Sequence, residues 1–187
     1  VTEMLPKETD DELQEELRGV HRDIERIVAQ YLSLTRSLDT SDTENIVFSE
    51  LLNDVIAELT FETNQQVILS GDEDVVITTS TYALRAVVVN IVSNALRYGD
   101  GELVEVCWQN VDNSLEISIL DRGPGIPDEQ KEAIFQPFYR LETSRNTETG
   151  GTGLGLAIVN QIIRQYGWTI EVRDRIGGGT EMVVRVS

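Results

Sequence analysis

Cysteine and histidine are almost missing from this chain of 187 residues, each present once, as Cys107 and His21. A lone cysteine can close no internal disulfide and build no cysteine-rich zinc site, so the fold does not need an oxidising compartment. A lone histidine leaves no multi-histidine metal centre and one candidate for imidazole chemistry. Basic residues are scarce as well: 15 Lys and Arg against 33 Asp and Glu leave a net charge of −18. Such a surface repels nucleic-acid phosphates and anionic lipid, which argues against a nucleic-acid binder. A phosphate-bearing ligand would have to be met locally, by a cation, a few arginines or helix N-termini. No apolar run nears the ~18 residues of a membrane span; stretches such as Ala86-Val87-Val88-Val89 are core-sized. The first residues, Val-Thr-Glu-Met-Leu-Pro, carry neither an initiator methionine nor a basic region followed by an apolar block. The expectation is therefore a piece of a longer chain without a signal peptide.

What the chain does have is core material, 40% of its residues being hydrophobic, enough for one compact domain with a short appendage. Over residues 13–38, Leu13, Leu17, Val20, Ile24, Ile27, Tyr31, Leu34 and Leu38 alternate spacings of four and three. That is a heptad seam, and it predicts a helix about 40 Å long in a coiled coil or bundle. Thr9 and Glu12 read as its capping box. One helix cannot cover its own stripe, so it needs a partner helix or a second subunit; packing on the following domain is the alternative. A polar linker over 39–45 follows. Beyond it the pattern predicts a short strand at 46–48, a helix over 50–60, and strands at 67–69 and 75–78 about a Ser-Gly-Asp-Glu turn. An apolar helix over 81–98 comes next, then a hairpin of 103–111 and 115–121 turning at Asp112-Asn113. The rest reads as a helix over 128–135, a polar stretch over 142–151, a helix over 154–166 stopped by Gly167, and strands at 168–174 and 180–186 around Gly177-Gly178-Gly179. Hairpins with helices gathered elsewhere mean an α+β fold, an antiparallel-rich sheet with helices on one face.

Three segments carry chemistry. Asp121-Arg122-Gly123-Pro124-Gly125 puts a carboxylate at a strand end with glycines two and four residues on. The backbone can then bend close to a flat ligand while the carboxylate accepts from an exocyclic amine; an ordinary Gly-Pro turn is the plain alternative. Gly150-Gly151-Thr152-Gly153-Leu154-Gly155 opens a helix, where free N–H groups and the dipole favour an anion. Neither a P-loop lysine nor a preceding strand is present, and a flexible linker is the competing reading. Asn90 and Asn94 lie four apart on one face of an otherwise apolar helix, costly unless hydrogen-bonded or bound to a ligand. An amide oxygen is a hard donor suited to Mg²⁺ on phosphates. Arg97 could reach a phosphate and Tyr98 could stack on a base, although the two amides could equally cap neighbouring loops.

In this order the segments resemble the histidine-kinase branch of the Bergerat-type ATPases, which also include gyrase, Hsp90 and MutL. Residues 90–98 are similar to the family's N box, 121–125 to its G1 box, and Phe135-Gln136-Pro137-Phe138 to its F box. Residues 151–156 are similar to the G2 box, and Gly179-Thr180 to its last glycine–threonine element. Asn94-Ala-x-Arg97-Tyr98-Gly99 and the F box look most like the osmosensor type represented by EnvZ. The resemblance implies a two-layer α/β sandwich over 49–187, a linker and first strand over 41–48, and part of a dimerisation helical hairpin over 1–40. It implies that Asp121 binds the adenine amino group, partly through water held with Thr180, while Gly123, Gly125 and Ile126 line the base pocket and Tyr98 stacks. Asn94 would coordinate Mg²⁺, with Asn90 and Arg97 on phosphate and Arg140 and Arg145 as further cations. Residues 142–150 would be an ATP lid. Thr152, Leu154 and the glycines Gly151, Gly153 and Gly155 would fold it over the triphosphate, and Phe135 and Phe138 would anchor it or simply fill the core.

The family's acceptor histidine, followed by an acidic residue in a His-Glu/Asp-x-Arg-x-Pro setting, is not among these residues. His21 sits between seam positions in Gly-Val-His-Arg-Asp and reads as an exposed bundle histidine. The expectation is a fragment that binds ATP but does not phosphorylate itself. Gyrase-like members place a glutamate general base where Asn90 stands, and an amide cannot accept that proton. The implied activity is Mg-ATP-dependent phosphorylation of a histidine, then transfer to an aspartate of a response-regulator receiver domain, in a homodimer. The implied setting is the cytoplasmic portion of an inner-membrane bacterial kinase, whose membrane segments lie elsewhere. A non-catalytic nucleotide-binding interaction module and a gyrase- or MutL-type hydrolase are the alternatives.

Overall fold

The computed structural model of the chain describes residues 43–61, 65–72, 75–99, 101–141 and 152–187. The heptad helix expected over 13–38, with Thr9 and His21, lies outside these residues, as does the stretch 142–151 with Arg145 and Gly151. Among the described residues seven strands and three helices follow in the order β1 (Glu44–Val47), α1 (Phe48–Thr60), β2 (Val67–Gly71), β3 (Val76–Thr79), α2 (Thr81–Tyr98), β4 (Val104–Val111), β5 (Ser114–Leu120), α3 (Gly155–Tyr166), β6 (Thr169–Asp174) and β7 (Thr180–Val186). Five strands form one sheet in the order β2-β4-β5-β7-β6, and β1 pairs with β3 in a separate two-stranded sheet.

The helices bury the faces that their periodicity dictates. In α1, Phe48, Leu51, Leu52 and Val55 recur at helical spacing and are buried. Val47 offers no side-chain cap to α1; the Phe48 N–H donates instead to the Val75 carbonyl at 3.0 Å. α2 is the central helix, burying nine side chains, among them Leu84, Val88, Ile91 and Val92, and it packs on α1, α3 and the sheet. α3 buries Ile158, Val159, Ile162 and Ile163. Gly167 ends it at φ 69°, its N–H returning to the Ile163 carbonyl. Beneath the helices the sheet contributes Val104, Val106, Leu115, Ile117, Ile119, Val184 and Val186, all buried. This is the expected α+β sandwich of helices on one face of a sheet.

The hairpin of β4 and β5 turns at Asp112 and Asn113, whose φ values of 51° and 63° are those of a type I′ turn. Two expectations need correction. The strands at 67–69 and 75–78 do not pair about their turn: β2 runs parallel to β4, Val67 opposite Val104 through Gly71 opposite Trp108, while β3 runs antiparallel to β1. The division follows burial. Opposite each other on β1 and β3, Ile46 and Ile77 are both covered, and the Trp108 Nε1–H donates to the Asp72 carbonyl at 2.7 Å, holding the end of β2 against β4. The helix expected over 128–135 is instead two short 3₁₀ turns, Asp128–Gln130 and Ala133–Phe135. Of their residues only Ile134 is buried, too small an apolar stripe for an α-helix. Gln136, ahead of Pro137, is extended at ψ 141°, as a residue before proline prefers.

Candidate functional site

The first residue after β5 is Asp121. Its N–H donates to the Thr180 carbonyl at 2.9 Å, which continues the pairing of β5 with β7 one step past the strand. Its side chain turns back on its own loop: Oδ1 accepts from the Gly123 N–H at 2.8 Å and from the Thr180 N–H at 3.2 Å. One carboxylate oxygen is thus committed to the backbone and orients the group, with the Thr180 side chain beside it. Burial pushes the Asp121 carboxyl up from its ordinary range, against the opposing pull of the Gly123 and Thr180 amides and the Arg175 guanidinium.

Close backbone approach explains the glycines around it. Gly179 has φ 105°, and a Cβ there would lie 2.1 Å from the Asp121 carbonyl oxygen. A Cβ on Gly123 would lie 2.2 Å from the carbonyl oxygen of Tyr98, the last residue of α2. The foot of the sheet, the β6–β7 turn and the C-terminal end of α2 therefore meet at Asp121. Gly125 and Ile126 continue the same loop, Gly125 at φ 78° and Ile126 half-buried against the core.

Asn90, Asn94, Arg97 and Tyr98 occupy the last three turns of α2. The Asn90 amide donates to the Ala86 carbonyl at 2.7 Å, the self-satisfying arrangement that the sequence left open. Its Oδ1 faces the first residue of α3, 2.8 Å from where a Gly155 Cβ would be. Asn94, Arg97 and Tyr98 are half-buried and make no side-chain hydrogen bond or ion pair among the described residues. α3 starts with no side-chain cap on its first turn; Thr152 Oγ1 accepts from the Leu154 N–H at 3.3 Å ahead of it. Gly153, at φ 70°, accepts the Phe138 N–H on its carbonyl at 2.9 Å. Phe138 is thus tied to the glycine segment through its backbone. Phe138 is 69% exposed, so of its two expected roles core filling is excluded, whereas Phe135 packs half-buried against the core. Arg140 is half-buried two residues beyond Phe138.

No motif or spacing in the chain marks Arg175. Only 7% of its side chain is exposed, and it bonds the Glu105 carboxylate and, at 3.3 Å, the Asp121 carbonyl oxygen. Lys131 is a second such residue, bridging Asp128 at 2.7 Å and Asp174 at 2.8 Å and so fastening the first 3₁₀ turn to the end of β6. The Arg175 contacts and the Lys131–Asp174 pair join residues far apart in the chain, which no periodicity or motif spacing reveals. Among the described residues no three His, Cys, Asp or Glu gather where they could hold a metal ion. None of the helices among them is long and apolar enough to cross a membrane.

The arrangement is a half-buried carboxylate at a strand end, an asparagine on a neighbouring helix with no side-chain partner among the described residues, and a helix start behind glycines with no side-chain cap. Comparison with known proteins shows the family. CpxA, a sensor histidine kinase of Escherichia coli, is 42% identical over 102 residues, 54% of this chain and 22% of its own length. The sensor histidine kinase YkoH of Bacillus subtilis is 26% identical over 181 residues, 94% of this chain and 40% of that one. The chain therefore spans between about a fifth and two fifths of these relatives. The solved structure of the Acinetobacter baumannii histidine kinase AdeS shares the fold at a TM-score of 0.73, with 20% identity, over 98% of this chain and 86% of that one. Residues 79–187, from the end of β3 through Asp121 and both glycine clusters to the last strand, match one family as a whole, and the chain belongs to it: the histidine kinase-, DNA gyrase B- and HSP90-like ATPases.

Proposed function

We propose that this chain is the ATP-binding catalytic part of a two-component sensor histidine kinase. Its parent would move the γ-phosphoryl group of ATP to a histidine on a dimerisation hairpin, and from there to an aspartate of a response-regulator receiver domain. The observation that carries the reading is Asp121. A half-buried carboxylate at a strand end, aimed by two backbone N–H groups, is suited to accept from the exocyclic amine of adenine. Gly123, Gly125 and Ile126 would line that base site, Tyr98 would stack on the ring, and Thr180 would steady Asp121 and a bridging water.

The residues fit a nucleotide with its metal. Phosphates would sit between Asn94 and Arg97 on α2 and the uncapped start of α3, reached through Thr152, Gly153, Leu154 and Gly155. Arg140 would add a cation from the segment beside Gly153. Mg²⁺, when bound, would neutralise phosphate charge and orient the transferred group; Asn94 is the amide donor suited to it, the phosphates supplying the anionic ligands. Asn90 speaks against hydrolysis. An amide whose N–H is already given to Ala86 cannot take a proton from water, so the chain positions a phosphoryl group rather than activating a nucleophile. An imidazole acceptor is nucleophilic when neutral and needs no such base. That acceptor would be a histidine other than His21, on the part of the hairpin that residues 1–40 adjoin. The likeness to osmosensor-type kinases, the homodimer and the setting beneath a bacterial inner membrane belong to this proposal and rest on the sequence resemblance.

Calorimetric titration with a non-hydrolysable ATP analogue, with and without Mg²⁺, followed by labelled ATP and a separate hairpin bearing the acceptor, tests the reading. Metal-dependent binding with transfer of label to the hairpin is the expected result. Binding without transfer would reduce the chain to a nucleotide-sensing module, and steady phosphate release would make it a hydrolase.

A further inference from the structure

Arg175 is nearly enclosed, carries a charge, and stands one residue after β6, in the turn leading to Gly179. Two of its bonds tie that turn: its N–H donates to the Gly179 carbonyl at 3.1 Å, and its own carbonyl accepts from the Gly178 N–H at 3.1 Å. Its guanidinium points across the turn. Nη1 reaches the Asp121 carbonyl oxygen at 3.3 Å, and Nη2 is held by Glu105 of β4. Arg122 Nη2 lies 3.7 Å from the same Glu105 oxygen, so the two arginines flank one carboxylate.

The Asp121 carbonyl is a crowded point. Gly179 passes so close that no Cβ fits between them, and the Asp121 N–H is already fixed to Thr180. Both backbone polar groups of Asp121 are thereby tied, the N–H by strand pairing and the carbonyl by Arg175. A burial cost for an enclosed guanidinium is offset only by good partners. Its partners here are an ion pair on β4 and a backbone oxygen at the candidate site, rather than solvent.

We propose that Arg175 is a positioning residue: by holding the Asp121 carbonyl against Glu105 it fixes where the Asp121 carboxylate points, and so sets the preference of the site for a base bearing an exocyclic amine. The second half rests on the nucleotide reading above; the first does not. Arg175 also lies near enough to favour the charged form of Asp121, so that losing it would weaken the acceptor as well as misplace it.

The test has two independent readouts. Amide hydrogen exchange in the free chain reports the positioning, because the Gly123 and Thr180 N–H groups both end on Asp121 Oδ1. Affinities for Mg-ADP and Mg-IDP report the preference, since inosine presents an oxygen where adenine presents the amine. Arg175→Met is made together with Glu105→Gln so that no buried carboxylate is stranded, and Arg175→Lys serves as the milder variant. In the double variant, exchange at Gly123 and Thr180 is expected to quicken by about 2- to 10-fold, the loss of one hydrogen bond, while Ile117 in mid-sheet is unchanged. The ADP-to-IDP ratio is expected to fall towards one, with Arg175→Lys between it and the wild type. Unchanged exchange at both amides overturns the positioning role. Quickened exchange with the wild-type ratio kept, or with both affinities falling by one common factor, overturns the preference. A wild type that binds both nucleotides equally would refute the adenine reading itself, whatever exchange shows.

Discussion

Replacing Asp121 by asparagine separates what this residue does for binding from what it does for folding. The amide keeps an Oδ1 of the same shape, so the bonds from the Gly123 N–H at 2.8 Å and the Thr180 N–H at 3.2 Å can both survive. What disappears is the charge and the second acceptor oxygen, which becomes an NH2 donor. A hydrogen bond to a charged acceptor contributes about 1.5–3 kcal/mol, so adenine nucleotides should bind about 10- to 150-fold more weakly to the variant. Stability should move the other way. Burial raises the folded-state pKa of Asp121 above its unfolded value near 3.9, so the native state prefers the protonated carboxyl. The corresponding stability is fully present below the unfolded pKa and is lost as pH rises through the folded one. At pH 7 the ionised carboxylate is therefore a net cost, which asparagine removes. Calorimetric titration with Mg-ADP and thermal melts at pH 7 check both halves. A variant that binds as tightly as wild type refutes the amine-acceptor role. One that melts several degrees lower refutes the claim that both backbone bonds survive and that the charge is unfavourable.

Gly179→Ala should cost at least about 2 kcal/mol in urea unfolding, since φ 105° and a Cβ position 2.1 Å from the Asp121 oxygen leave no room for a side chain; a loss under half of that would mean the turn moves freely. Trp108→Phe removes the Nε1–H bond to the Asp72 carbonyl while keeping a ring edge-on to Phe48, so about 1 kcal/mol should be lost in the same assay. Asn94→Ala should lower the gain in ADP affinity on adding Mg²⁺ by roughly tenfold, leaving metal-free affinity near wild type; an unchanged metal response would take Asn94 out of the metal site. With a net charge of −18, the wild-type chain should bind metal-free ATP more tightly as salt rises from 20 to about 200 mM, by screening of like charges.

Local order along the chain decided much of this protein before any folding. Strict spacing in α2 and α3, Gly167 past the end of α3, and Asp112-Asn113 between two alternating runs each act over a few residues, and the structure places a helix stop and a hairpin turn there. The segments around Asn90, Asp121 and Gly153 were legible because glycine and buried amide are expensive where nothing needs them. Tertiary structure decided the rest. Strand β2 chose β4 rather than the nearer β3, because a short strand carries no record of its partner and burial of Ile46 with Ile77 settles it. The stretch 128–135 became two turns because only Ile134 found the core. Arg175 came to hold Asp121 from 54 positions away, and Glu105 from 70. Periodicity encodes which face of an element turns inward; it is silent about which distant charge arrives to meet a backbone oxygen, since that contact exists only once the sheet has closed.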